Sequence, residues 1–188
     1  MTILDKIKFH HDNKKFARVT RQVADDYTEV SRGYIVDYSK DFIILQKTDD
    51  FKVFSYLAIP IVQINDIRFN SHDKFYDKIM TREKEIDKVD LSHKIDLTNW
   101  QTIFKSIKGI GLNVIVECEN PSIDTFTIGP IVKATKNLVY ILYFSPTGFI
   151  DEKPTSIDYN SITKVMFDDR YINVFSKYIR HRKKKITK

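Results

Sequence analysis

Apolar and polar positions alternate over short stretches along most of the chain, the two-residue period of half-buried strands. In the N-terminal half this pattern predicts strands over 16–24, 29–39, 42–48, 52–58 and 62–69. In the C-terminal half it predicts strands over 112–119, 125–135, 138–144, 149–153 and 161–167. Asn120-Pro121 and Ser145-Pro146-Thr147-Gly148 supply turn residues between them, and Gly129 interrupts the second strand where a missing side chain permits a sharp bend. Trp100, Ile103, Phe104 and Ile107 fall at i, i+3, i+4 and i+7, the stripe of an amphipathic helix. Thr98 with Gln101 reads as its capping box, and Gly109 as its left-handed end. Ile3, Leu4, Ile7 and Phe9 predict a weaker helix before the first strand.

The chain repeats itself. The segment from Gly33, shifted by 96, lies over the segment from Gly129, with Gly33/Gly129, Ile35/Ile131, Val36/Val132 and Lys40/Lys136 identical. A later block matches at a shift of 98, with Ile59/Ile157, Ile64/Ile162 and Phe69/Phe167 identical. The change of shift marks a two-residue insertion in a loop. Conserved order and one small gap point to an internal duplication. Residues 73–96 between the halves are dense in charge. Phe75, Ile79 and Ile86, with Tyr76 and Met80 adjacent, predict a helix docked on a barrel, and 171–179 occupies the corresponding place after the second half.

A helix followed by five short strands, with a glycine inside the second, resembles the Sm-like (LSm/Hfq) fold. Gly33, Ile35, the Ser39-Lys40-Asp41 turn and Phe42 to Leu45 are similar to the first Sm motif, as are Gly129, Ile131, Thr135-Lys136-Asn137 and Leu138 to Leu142. The resemblance implies a mainly β chain of two five-stranded bent-sheet barrels in tandem, with flanking helices. Residues 1–72 form the first barrel, 73–96 a charged helical linker, 97–179 the second barrel and 180–188 a basic tail. It also implies self-association through barrel edge strands, three tandem chains completing a six-barrel ring. The family's RNA-holding residues do not carry over. No Asn follows Phe42 or Leu138 in the family's pattern, no Arg-Gly precedes Ile61 or Ile162, and Tyr56-Leu57-Ala58 lacks the Lys and His of the Hfq segment.

Composition narrows the class. In 188 residues there is a single cysteine, Cys118, so no internal disulfide framework exists. No apolar run spans a membrane, and the charged first 20 residues do not read as a signal peptide, so a cytoplasmic protein is expected. The net charge of +6 resides in the tail: Arg180, Arg182, Lys183, Lys184, Lys185 and Lys188 carry it, leaving residues 1–179 at net zero. Those six residues are the candidate nucleic-acid contacts, able to neutralise phosphates without reading sequence. Tyr171, Phe175 and Tyr178 could stack bases, although their helical spacing favours packing. His10, His11, His72, His93 and His181 lack metal-ligand spacing and read as surface residues. The pairs Asp25-Asp26, Asp49-Asp50 and Asp168-Asp169 read as turn residues, Cys118 as core, and Gly109-Ile110-Gly111 as too short for a phosphate loop. No catalytic constellation, cofactor or metal site is expected. The expected function is a non-enzymatic binding module for RNA or another nucleic acid, the alternative a protein-interaction scaffold.

Overall fold

In the computed structural model, which describes residues 1–181, helix α1 (Ile3–Asp12) opens the chain. Then come β1 (Phe16–Ala24), β2 (Tyr27–Tyr38), β3 (Phe42–Asp49), β4 (Lys52–Pro60), a 3-10 turn over Ile61–Gln63 and β5 (Ile64–Arg68). Helix α2 (Ser71–Arg82) and a 3-10 turn over Ile86–Lys88 connect the halves. The second half runs α3 (Trp100–Gly109), β6 (Val114–Cys118), β7 (Thr125–Gly129), β8 (Ile131–Ala134), β9 (Leu138–Ile141), β10 (Thr155–Asp158), a 3-10 turn over Tyr159–Ser161 and β11 (Lys164–Phe167). Helix α4 (Arg170–Phe175) and a 3-10 turn over Ser176–Tyr178 follow.

The halves repeat in their hydrogen bonds as well as in their residues. Ser39 N–H donates to the Phe42 carbonyl, and 96 residues on Thr135 N–H donates to Leu138, both at 2.8 Å. Ile61 N–H reaches the Asp41 carbonyl as Tyr159 N–H reaches Asn137. The register repeats too: Ala17 faces Gly33 as Val114 faces Gly129, and Val19 faces Ile67 as Val116 faces Val165. At both glycines the backbone has a large positive φ, +156° and +152°, and a Cβ would overlap the carbonyl oxygen of Gln46 or Leu142. Around Gly33, β2 changes partner: residues 27–34 pair with β1 and residues 33–38 with β3.

The strands form one eight-stranded antiparallel sheet, ordered β5-β1-β2-β3-β4-β11-β6-β7, and a three-stranded sheet, β10-β9-β8. The mainly β class with flanking helices holds. Two closed barrels do not form. In the second half the expected strand over 125–135 is divided at Gly129-Pro130 between the two sheets, since Pro130 offers no N–H to a ladder. The expected strand over 149–153 is reduced to a bridge between Phe144 and Ile150, and β10 takes its place beside β9.

What joins the halves is a strand pairing and a shared core. Strand β4 pairs with β11, Ala58 opposite Val165 and Tyr56 opposite Phe167. Phe42, Ile44, Tyr56 and Ala58, on the outer side of the first half, pack into one cluster with Trp100, Phe104, Val116, Val165 and Phe167. The predicted stripe of α3 is buried there. Its cap lies one residue later than expected: Asn99 accepts from Thr102 N–H while Thr98 is engaged by Asp96, and Gly111 instead of Gly109 takes the positive φ. A separate cluster of Ile7, Val19, Ile35, Ile43, Leu45, Ile59 and Ile67 fills the first half beneath α1.

Helix α2 docks by a face other than the one its apolar residues suggest. Phe75 is exposed, and the buried positions are Asp73, Asp77 and Met80. The sheet beneath presents donors that need an acceptor: Asp77 takes the Tyr34 hydroxyl at 3.1 Å, Phe16 N–H at 3.3 Å and the Lys15 ammonium at 3.2 Å.

A buried ion cluster ties β1 to the second half. Arg21, 1% exposed, gives a two-pronged contact to Glu119 at 2.6 and 2.9 Å. Lys164 and the Thr163 hydroxyl complete the carboxylate's partners at 2.6 and 2.8 Å. Burial works to raise the Glu119 pKa, but Arg21 and Lys164 outweigh it and hold it at about 2. Because the folded value lies below the ordinary 4.5, this contribution is complete above about pH 4.5 and is lost as pH falls through about 2. Glu119→Gln is expected to cost about 3 kcal/mol at pH 7. That deficit against wild type should narrow in urea titrations as pH falls below 4.5, and a deficit independent of pH would contradict the assignment. Gly33→Ala is expected to cost at least about 3 kcal/mol because a backbone carbonyl cannot move aside. At Gly111, which has positive φ but open space around it, Ala should cost only about 1 kcal/mol by the same denaturation assay.

Candidate nucleic-acid interface

The C-terminal elements position the candidate surface. Asp169 caps α4, accepting from Tyr171 N–H at 2.8 Å and Ile172 N–H at 3.3 Å. Ile172 is fully buried with Ile115, Ile128, Phe144 and Ile150, and Phe175 stacks on Phe144 at 5.1 Å between ring centres. These two side chains pin α4, and the Asn113 amide adds a 2.7 Å bond to Ser176. Tyr171 and Val174 of α4, and Tyr178 of the 3-10 turn after it, are exposed by 55%, 45% and 74%. Of the three aromatic residues expected to pack, Phe175 does so, whereas Tyr171 lies tilted against it at 5.4 Å and Tyr178 faces outward.

Among the six candidate cations, Arg180 lies within the described residues, while Arg182, Lys183, Lys184, Lys185 and Lys188 lie outside them. Arg180 is part of the folded surface. Its N–H donates to the Gly148 carbonyl and its own carbonyl accepts from Ile150 N–H. Its guanidinium donates to the Thr147 carbonyl at 3.1 Å and lies 4.2 Å from the centre of the Phe149 ring. Arg180 is thereby held beside the 145–150 loop.

The remaining sequence candidates resolve by packing. Cys118 is buried on β6. The acidic pairs sit at turns, with Asp50 and Asp168 at positive φ. His10 is a correction: it is buried, its Nδ1 3.1 Å from the Lys15 carbonyl and its ring against Phe9 and Phe69, and burial lowers its pKa. His93 pairs with Asp168 at 2.9 Å. Among the described residues no group of His, Cys, Asp or Glu is arranged to hold a metal ion. A cleft where the turn around Lys40 meets Tyr159 and Asn160 contains one lysine, itself 3.8 Å from Asp41, and offers little to a polyanion.

Sequence reasoning placed every candidate cation in the tail. The structure also brings Arg18, Arg32 and Arg68 together from three strands. Their spacing along the chain gives no local signal; only the strand register makes them neighbours. No family model matches this chain, nor does any curated protein or solved structure.

Proposed function

We propose that the chain is a non-enzymatic, tandem Sm-like binding module that engages single-stranded nucleic acid through its C-terminal face. The observation that carries this reading is the exposure of Tyr171 and Val174 on a pinned helix and of Tyr178 on the turn after it, continued at once by a segment with six cations and no acid. Aromatic faces stack bases of any sequence, and mobile or fixed cations alike neutralise phosphates. The Sm-like assignment draws support from the element order of each half, its bend at a glycine and the short turn before its last strand.

Self-association through strand edges belongs to the same reading. Strands β5 and β10 end their sheets, and the internal β4–β11 junction supplies a pattern for pairing them between copies. The pairing between copies is weaker than that junction. The positions matching Phe42, Ile44, Tyr56 and Ala58 are Leu138, Tyr140, Pro154 and Ser156, the last two exposed. Sedimentation should therefore show a monomer at low micromolar concentration that associates as concentration rises; a monomer at several hundred micromolar would count against edge pairing.

Anisotropy of labelled single-stranded RNA tests the main reading. A chain ending at His181 keeps the Arg180 anchor and removes five cations. It should bind far more weakly, with the slope of log affinity against log salt reduced by about 3. Tyr171→Ala with Tyr178→Ala should weaken binding about tenfold at fixed salt. Undiminished binding by both variants would place the interface elsewhere, and no binding by the full chain would leave the scaffold alternative.

A further inference from the structure

We propose that the first half carries a separate site for a nucleoside phosphate, built on an arginine row across β5, β1 and β2. Arg18 stands directly opposite Arg32 on one side and opposite Arg68 on the other, so the three side chains share one face of the sheet. All three line a groove of about 630 Å³ whose walls include Phe16, Asp49, Asp50, Phe51, Asp73 and Tyr76. That volume falls in the range of small-molecule sites.

The charge in this groove is not used up by the fold. Arg68 is held by Asp73 in a two-pronged pair at 2.9 and 2.8 Å, and Asp73 also feels the charge of Arg18. The side chains of Arg18 and Arg32 make no hydrogen bond or ion pair among the described residues. Asp73 offsets Arg68 and part of Arg18, but Arg32 stands directly opposite Arg18 with no ion-pair partner among the described residues, and like charges so placed oppose folding unless a further anion joins them. Guanidinium groups are well suited to that anion, because their planar fork matches two phosphate oxygens.

The internal repeat shows that this row departs from the packing used in the other half. The positions matching Arg18, Arg32 and Arg68 are Ile115, Ile128 and Met166, in the same register. There they form an apolar patch covered by Ile172 of α4. In the first half α2 instead covers Phe16 and Tyr34 with Met80 and Tyr76, and the three neighbouring positions are cationic and open to a groove. One sheet face serves as core in the second half and as a binding surface in the first.

A second feature of the groove selects the rest of the ligand. The β3–β4 turn holds Asp50 at φ 42° and Phe51 at φ 59°, a left-handed pair for which Asn-Gly is the relaxed choice. An aromatic residue held there is strained, a condition that concentrates at functional sites. Phe51 is 42% exposed and its ring stacks on Tyr76 at 5.1 Å and 22°, and the Tyr76 ring in turn lies 4.4 Å from that of Phe16. The groove thus pairs an aromatic ledge with the phosphate-binding row. Asp49 and Asp50 line it from the turn, as acceptors for ring amines or sugar hydroxyls, so the ligand's anionic end belongs at the arginines.

Calorimetry on the full chain with AMP, adenosine and inorganic phosphate tests this assignment. AMP should bind one to one, with adenosine and phosphate each at least tenfold weaker. Arg32→Gln, at an exposed position, and Arg18→Gln should each weaken AMP at least fivefold without moving the thermal midpoint downward. Phe51→Gly should weaken AMP and adenosine alike while raising the midpoint, because glycine relaxes the turn. A chain ending at His181 should bind AMP as the full chain does, which separates this site from the C-terminal face even if RNA binding fails. No AMP binding at millimolar concentration, or binding untouched by Arg32→Gln, overturns the proposal. Phosphate binding as tightly as AMP overturns the nucleoside part, and loss of AMP binding on truncation overturns the independence of the site.

Discussion

The backbone crossing at Gly33 and Gly129 is the constraint on which the rest of the structure depends. At each glycine a carbonyl of the facing chain, that of Gln46 in β3 or of Leu142 just past β9, occupies the space a side chain would need. The close approach lets the second strand of each half leave one partner and join the next. In the first half this happens within one strand; in the second it divides β7 from β8 and hence one sheet from the other. A sheet bent this sharply has an inner face small enough for one helix to close, and α1 and α3 each do so over an apolar cluster. The bend thus creates the cores, and each core then orders the helix that caps it.

Once both halves are bent, their outer faces become the variable part. The first half presents Phe42, Ile44, Tyr56 and Ala58 outward from β3 and β4, and the second half closes over them. Apolar burial supplies the attraction and the β4–β11 ladder the register. The Arg21–Glu119–Lys164 cluster adds a penalty for misalignment, since a buried guanidinium without its carboxylate is costly. At the far edge the matching positions are Leu138, Tyr140, Pro154 and Ser156, and the same geometry no longer offers the same burial. Duplication followed by divergence of one face explains why the apolar outer surface that joins the halves is not repeated at the far edge.

How much of this was legible in the sequence depended on the range of the interaction concerned. The repeat, the five strands of the first half and the α3 stripe rest on periodicity over about ten residues, and all three are present in the structure. The helix cap moved by one residue because Asp96 competes for Thr98, a contact that a capping-box pattern does not weigh. Helix α2 turned a different face inward because Phe16 N–H and the Tyr34 hydroxyl lie beneath it, and nothing within 71–82 reveals those donors. His10 was missed for the same reason, since Phe69, from the far end of the first half, buries it. Pairing of β4 with β11, and the arginine row itself, exist only in the register between strands and have no trace in any window of the chain.

The same limit applies to net charge. Residues 1–179 sum to zero, which directs attention to the tail and away from the folded body. A sum of charges is blind to their placement, and here the cancellation is spatial as well as numerical: Glu119 and Glu117 are occupied by Arg21 and Lys164, and Asp77 by Lys15 and Tyr34. The arginine row keeps acids of its own, since Asp73 pairs with Arg68 and Asp49 and Asp50 line the same groove, but the Arg18 and Arg32 side chains have no hydrogen-bonded acid among the described residues. A neutral domain can therefore hold guanidiniums without an ion-pair partner in a groove, and that arrangement has a consequence for affinity. Charges that stand in solvent are screened by salt within about 10 Å at 0.1 M, whereas guanidiniums set against protein in a groove are screened less. The two cationic features of this chain consequently answer to different physical rules, one to ionic strength and the other to the shape and aromatic character of what enters the groove.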